Sequence, residues 1–230
     1  MSRGLREEAV RLVLLLVGLT IAHLGVSFFL EADLGSDPFN VLVQGVFRVL
    51  DPVAGGGAIT HGRVHMTLCV LIIVVLLVVD RGYVKAGTFV CMALGGPIID
   101  LWRFLMGSWI PVEPSTAMRL AMVVVGCVLL AYGMTLVISS DAGTGPNDLV
   151  AVVLADRSGL PFSVVKIVTD CLFVLGGFLL SATVGLGTLV CMVLVGMVAG
   201  VFLPINRRFV ASSVGRLGRR AASASGAPSA

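Results

Sequence analysis

The chain predicts an all-α fold, a polytopic membrane helix bundle of two internally repeated units, and three observations carry that expectation. Composition is the first: 57% of residues are apolar, 13% are charged and the mean hydropathy is +1.06, against about 25% charged residues in soluble domains. The second is a series of long apolar runs, at 12–30, 64–79, 86–101, 120–139, 164–180 and 186–203. They do not alternate, and several approach the ~20 residues needed to cross ~30 Å of hydrocarbon. Where no water can satisfy the backbone, such runs are economical only as helices. The third is duplication. Residues 17–40 align without gaps on residues 125–148, matching Val17 with Val125, Gly18 with Gly126, Gly25 with Gly133, Asp33 with Asp141, Gly35 with Gly143 and Pro38 with Pro146. Further on, the GTFVCM that starts at Gly87 meets the GTLVCM that starts at Gly187. The spacing is 108 residues in the first block and 100 in the second, so the first copy carries extra residues, most simply in the Gly-rich stretch between Asp51 and Thr60. Insertions fall in loops.

Each unit is expected to hold three full spans plus one short helix, eight helical segments in total. Repeat 1 covers 1–110, repeat 2 covers 115–206 and a basic tail covers 207–230. The first apolar run follows Arg3, Arg6 and Arg11. It is longer than a signal-peptide core and leads into Glu31, Ala32 and Asp33 instead of a small-residue cleavage site, so it is a span. The short helices, 38–50 and 146–155, begin at Pro38 and Pro146, a favoured first helical position, behind the capping residues Asp37 and Thr144 or Gly145. At 1.5 Å per residue they measure only about 15–20 Å. If both cross, the repeats are parallel; if both are re-entrant, the repeats are inverted. With the N-terminus inside, eight crossing segments leave only Arg81 and Lys85 outside, whereas re-entrant short helices move Arg48, Arg63, Arg103 and Arg119 outside. Positive-inside therefore favours crossing. Either arrangement puts both termini in the cytoplasm. Arg207, Arg208, Arg216, Arg219 and Arg220 precede Ala, Ser, Gly and Pro residues without apolar period, a pattern expected of a basic stub running into disorder.

An apolar helix ending in Ala32 Asp33 Leu34 Gly35 Ser36 Asp37 Pro38, a second short helix and a later Gly87 Thr88 hairpin, all then repeated, resembles the bacterial YczE/YitT type of integral membrane protein. The resemblance reaches from the first span to Pro204. It implies a multi-pass protein of the bacterial inner membrane and says almost nothing about a substrate. YitT-type members often carry a soluble C-terminal domain; nothing after Asn206 has the composition of one, which places this chain nearer the YczE branch.

Polar residues at membrane depth are costly and usually face a cavity or a partner. The two turns, Asp33 to Asn40 and Asp141 to Asp148, are the leading candidates. Each joins a glycine that permits close backbone approach to a proline that starts a helix, whose free N–H groups and positive end suit a solute, an anionic one included. Asp33, Asp37, Asn40, Gln44, Asp141, Asn147 and Asp148 are the candidate solute-binding residues. Asn40, Gln44 and Arg48 share one helical face, which hydrogen bonding between helices alone also explains. His23 and Asp170 are candidates for proton or ion coupling, although a hydrogen-bonded neutral imidazole accounts for the first and neutralisation by Lys166, one turn away, for the second. Asp100 and Arg103 are best read as a local ion pair. His61 and His65 are one turn apart, as in a metal pair, but no third ligand of matching spacing follows, and no metal or other cofactor is expected. The five cysteines fall in apolar runs without a CxxC pair and serve as small packing residues.

No P-loop, nucleophile elbow or HExxH is present, so no enzymatic activity is expected. Aromatic content is low and basic residues sit at span ends and in the tail, which leaves no nucleic-acid footprint beyond that tail, and no nucleic-acid partner is expected. The expected partners are membrane lipids, a small solute and, as a homo-oligomer, further copies of the chain. Three classes of function stay open: a carrier with its site between the repeats, a channel or facilitator with paired half-helices, and a non-transporting subunit or scaffold.

Overall fold

The computed structural model describes residues 4–35, 37–53, 59, 61–107, 109–111 and 113–224. Among them the regular structure is entirely helical: α1 (Leu5–Ala32), α2 (Pro38–Val53), α3 (His61–Val79), α4 (Ala86–Met106), α5 (Thr116–Ser140), α6 (Pro146–Ser158), α7 (Phe162–Leu179) and α8 (Leu186–Ala224), with a 3-10 turn, Arg81–Tyr83, ahead of α4. Five of them, α1, α4, α5, α7 and α8, are long and apolar enough to cross a membrane. The fold is a helical membrane bundle.

Its centre is the seam between α1 and α5, the most extensive helix contact in the molecule. Glycines let the two backbones touch. A Cβ added at Gly25 would lie 2.5 Å from the Gly126 carbonyl oxygen, and one added at Gly133 would lie 2.3 Å from the Ala22 nitrogen. Early residues of one helix meet late residues of the other, Gly18 beside Gly133 and Gly25 beside Gly126, so α1 and α5 run antiparallel. Since they are corresponding helices of the two copies, the repeats are inverted. The expectation of eight crossing segments, drawn from the arginine and lysine count, is thereby corrected.

The ends of the seam are closed reciprocally. Arg11 Nη1 donates to the Ser140 carbonyl at 3.0 Å, while its counterpart Arg119 donates to the Ala32 carbonyl at 3.2 Å. Each arginine thus satisfies a free carbonyl at the C-terminus of the other copy's helix. Immediately beyond, Asp33 (φ 51°) and Asp141 (φ 59°) take the left-handed conformation as helix caps, followed by Gly35 (φ 127°) and Gly143 (φ 153°). The glycines are required twice over, by that φ and by space: a Cβ on Gly143 would fall 2.3 Å from the Thr88 nitrogen. The Gly-Thr motifs at the starts of α4 and α8 close the same turns, since Gly87 N–H donates to the Ala142 carbonyl at 3.0 Å and Gly187 N–H to the Leu34 carbonyl at 2.8 Å.

After these turns α2 and α6 start inside the bundle and run outward to opposite ends. Phe39 stacks edge-on against Phe173 at 5.5 Å, Gly45 rests on Gly177, and Arg48 reaches the Ser181 carbonyl beyond α7, so α2 follows α7 toward the far end. On the other side Leu76 packs with Leu149 and Val153 and Arg157 caps the Val79 carbonyl at 3.0 Å, so α6 follows α3 toward the end where α1 begins. Both are half-helices. One large core joins α1 to α5, α6, α7 and α8 through Phe29, Met122, Cys127, Phe162, Cys191 and Val195.

The tail also departs from expectation. The helix α8 continues through the arginines to Ala224, so residues 207–224 are not the disordered stub that their composition implied. Arginine, alanine and leucine are strong helix formers, and after Pro204 no proline interrupts the segment. Residues 225–230 lie outside the described part.

Candidate functional site

The two half-helices start on one cavity of about 480 Å³, a size suited to a small organic molecule. Its floor is polar: Asp37 and Asn40 from the α2 start, Asn147 and Asp148 from the α6 start, His65 from α3, and Lys166 with Asp170 from α7. Its walls are mainly apolar, supplied by α1, α4 and α5.

Two side-chain chains occupy related positions. In the first copy the Asn40 amide donates to Asp37 Oδ2 at 2.6 Å, the Asn40 backbone N–H reaches Asp37 Oδ1 at 3.3 Å, and His65 Nδ1 lies 3.3 Å from Asn40 Oδ1. Asp37 is therefore the N-cap of α2, as the sequence implies. In the second copy, Asp148 stands where Asn40 does and pairs with Lys166 at 3.1 Å. Lys166 also binds Asp170 at 2.7 Å, with their side chains only 8% and 2% exposed. A lysine held by two carboxylates in a low-dielectric interior is stable only because all three charges are present. His23, near the middle of α1, donates from Nδ1 to the Leu19 carbonyl at 2.7 Å. The same ring lies against Gly95 of α4, on the cavity wall.

Of the residues expected at the site, Asp37, Asn40, Asn147, Asp148, His23 and Asp170 share this cavity. Asp33, Gln44 and Asp141 do not. Asp33 and Gln44 border a separate, more open depression at the far end, where Gln44 Oε1 accepts the Thr183 N–H at 2.8 Å. The Asp33 side chain is 91% exposed, 3.8 Å from Arg119. Asp141 sits at the opposite end, bound by Lys85 and 3.7 Å from Arg11. The physical reason is local: both aspartates are the left-handed caps that end α1 and α5, and the chain re-enters the bundle only after them.

Two cavity residues carry more than the sequence assigned them. Lys166 holds Asp148 as well as Asp170, and His65 lies 3.3 Å from Asn40 Oδ1; the His61 side chain lies outside the described residues. A lysine within an apolar run was the available signal for the first. Among the described residues no cluster of His, Cys, Asp and Glu suits a metal. Arg103 binds Glu31 of α1 at 2.9 Å, a link between helices where an ion pair within α4 was expected; the Asp100 side chain is outside the described part. All five cysteines are free thiols.

The chain is 24% identical to an uncharacterized protein, YyaS, of Bacillus subtilis over 84% of its own length and 92% of the relative's. It is 23% identical to the uncharacterized membrane protein YczE of the same organism, over 92% and 94%. An uncharacterized protein of Haemophilus influenzae is 28% identical over 85% and 84%. No solved structure matches the chain significantly. Residues 9–204 match the model of a family of unknown function, DUF6198, and the protein is a member of that family, of the YczE type.

Proposed function

We propose that this protein is a carrier for a small solute in the bacterial inner membrane, with both termini in the cytoplasm and the solute held between the two repeats. The observation that supports this reading best is the meeting of two half-helices, from oppositely oriented copies, on a single cavity whose polar floor belongs to both. Inverted repeats with interrupted helices at a central site are the architecture in which one half can rock against the other. A carrier is favoured over a channel because the polar floor is bridged by the Asp148, Lys166 and Asp170 ion pairs.

Transport kinetics test the reading. Purified protein is screened by thermal shift against small metabolites, since a ligand that binds only the folded state must stabilise it. Hits are then assayed in proteoliposomes. Saturable uptake with counterflow is expected. Flux without saturation or counterflow would replace the carrier by a pore, and no flux together with a copurifying protein would indicate a subunit of another complex.

A further inference from the structure

We infer that the solute is an amphipathic organic cation, an ammonium head on a small apolar body; this rests on the carrier reading of the cavity and narrows it. Charge is the first argument. Asp37, Asp148 and Asp170 face the cavity against one ammonium, Lys166, leaving two carboxylates in excess. Uncompensated charge at membrane depth is expensive, and a solute that brings the opposite sign removes the cost. Asp148 and Asp170 share Lys166, at 3.1 and 2.7 Å, and Asp37 lines the same cavity.

Hydrogen-bonding capacity is the second, independent argument. Pro97 lies inside α4 and has no N–H, so the Ala93 carbonyl one turn earlier, also on the cavity wall, lacks its helical donor. His23 uses Nδ1–H on Leu19, which leaves Nε2 of a neutral ring as an acceptor. Lys166 and the Asn40 amide, by contrast, are already committed to carboxylates. The site is rich in acceptors and asks for a donor. At the α2 start Asp37 accepts the Asn40 N–H, and at the α6 start Asp148 adds a negative charge in the first turn. This displaces the anionic solute that the helix starts alone suggested.

Shape gives the body of the solute. The walls are mainly apolar, and Phe39 offers an aromatic ring beside the polar floor, where a cation is attracted to the ring face. The α3 and α4 helices both line the cavity yet scarcely touch each other.

The test uses the full-length protein in nanodiscs and three probes of similar shape: 2-phenylethylammonium, 3-phenylpropanoate and 2-phenylethanol. The ammonium is expected to raise Tm saturably and to bind by calorimetry, with little effect from the others. Asp37→Asn should weaken that binding tenfold or more. Gly96 lines the cavity and an added Cβ there meets no atom within 4 Å; Gly96→Leu should weaken binding while keeping the ligand-free Tm, and it decides the matter if the aspartate variant folds poorly. Equal or greater stabilisation by the carboxylate, no binding of the ammonium, or ammonium binding unchanged in Asp37→Asn, Asp148→Asn and Gly96→Leu overturns the proposal. The carrier reading fails separately: ammonium that binds but shows no counterflow in proteoliposomes removes the carrier and leaves the cation site, whereas counterflow of an anion with no ammonium binding does the reverse.

Discussion

The second copy of the repeat is packed and the first is loose, although both derive from one unit. The α8 helix lies along α5 and α7, and the largest core is built from the second copy together with α1. In the first copy α4 leans on α1, barely meeting α3, and its apolar clusters are small. The polar clusters differ likewise: Asp37, Asn40 and His65 in the first, Asp148, Lys166 and Asp170 in the second. Even the caps differ, since Asp141 has both Arg11 and Lys85, whereas the position matching Lys85 is Gly185 and Asp33 is left with a longer contact to Arg119. Duplication preserved the scaffold while the copies diverged: a closely packed half that holds the lysine and its two carboxylates, and a half with sparser helix contacts.

The comparison breaks most severely if Lys166 is removed. Lys166→Ala leaves Asp148 and Asp170 without their shared cation, and a loss of about 3–5 kcal/mol is expected, read as a fall in unfolding midpoint in detergent micelles. A loss under about 1 kcal/mol would mean that the second half does not depend on this charge network. Next in size is the seam common to both copies. Gly133→Ala places a methyl 2.3 Å from the Ala22 nitrogen and should cost about 1–3 kcal/mol or more, while Gly96→Ala, which meets nothing within 4 Å, should leave the melting temperature unchanged. Equal behaviour of the two would contradict the close seam.

Hydrogen exchange sharpens the contrast between the halves. Amides of α3 and α4 should open about tenfold more readily than those of α7 and α8, a difference of about 1.4 kcal/mol; uniform protection would remove the idea of a loose half. The smallest effect distinguishes the two caps. Asparagine keeps the left-handed conformation that each cap needs, so Asp141→Asn, which loses two cationic partners, should cost about 1 kcal/mol. Asp33→Asn should have no measurable effect on stability. A larger cost at Asp33 would show that the depression beside it matters to the fold.

The helices and the duplication were legible because they rest on composition and on local periodicity. Orientation was not, because the charges that should have declared it are engaged in tertiary contacts. Arg48 binds the Ser181 carbonyl, Arg103 binds Glu31, Arg119 caps α1 and Lys85 holds Asp141. A cation spent on a helix end says little about which side of the membrane it faces. The same reasoning explains the two misplaced aspartates. Asp33 and Asp141 stand out by repetition, yet what is repeated is a cap, and the polar groups that reach the cavity come a few residues later. The role of Lys166 required knowing that α6 starts beside α7, which no spacing within the chain reveals.

The crossed hydrogen bonds at the turns carry an implication of symmetry. When Gly87 completes the turn after α5 and Gly187 completes the turn after α1, each bond is one of a pair that a symmetric dimer would make twice. The contacts are therefore those by which two antiparallel copies of one repeat would hold each other, made here within a single chain. With both copies in one chain, a residue such as Lys166 can stand in one half without being forced upon the other.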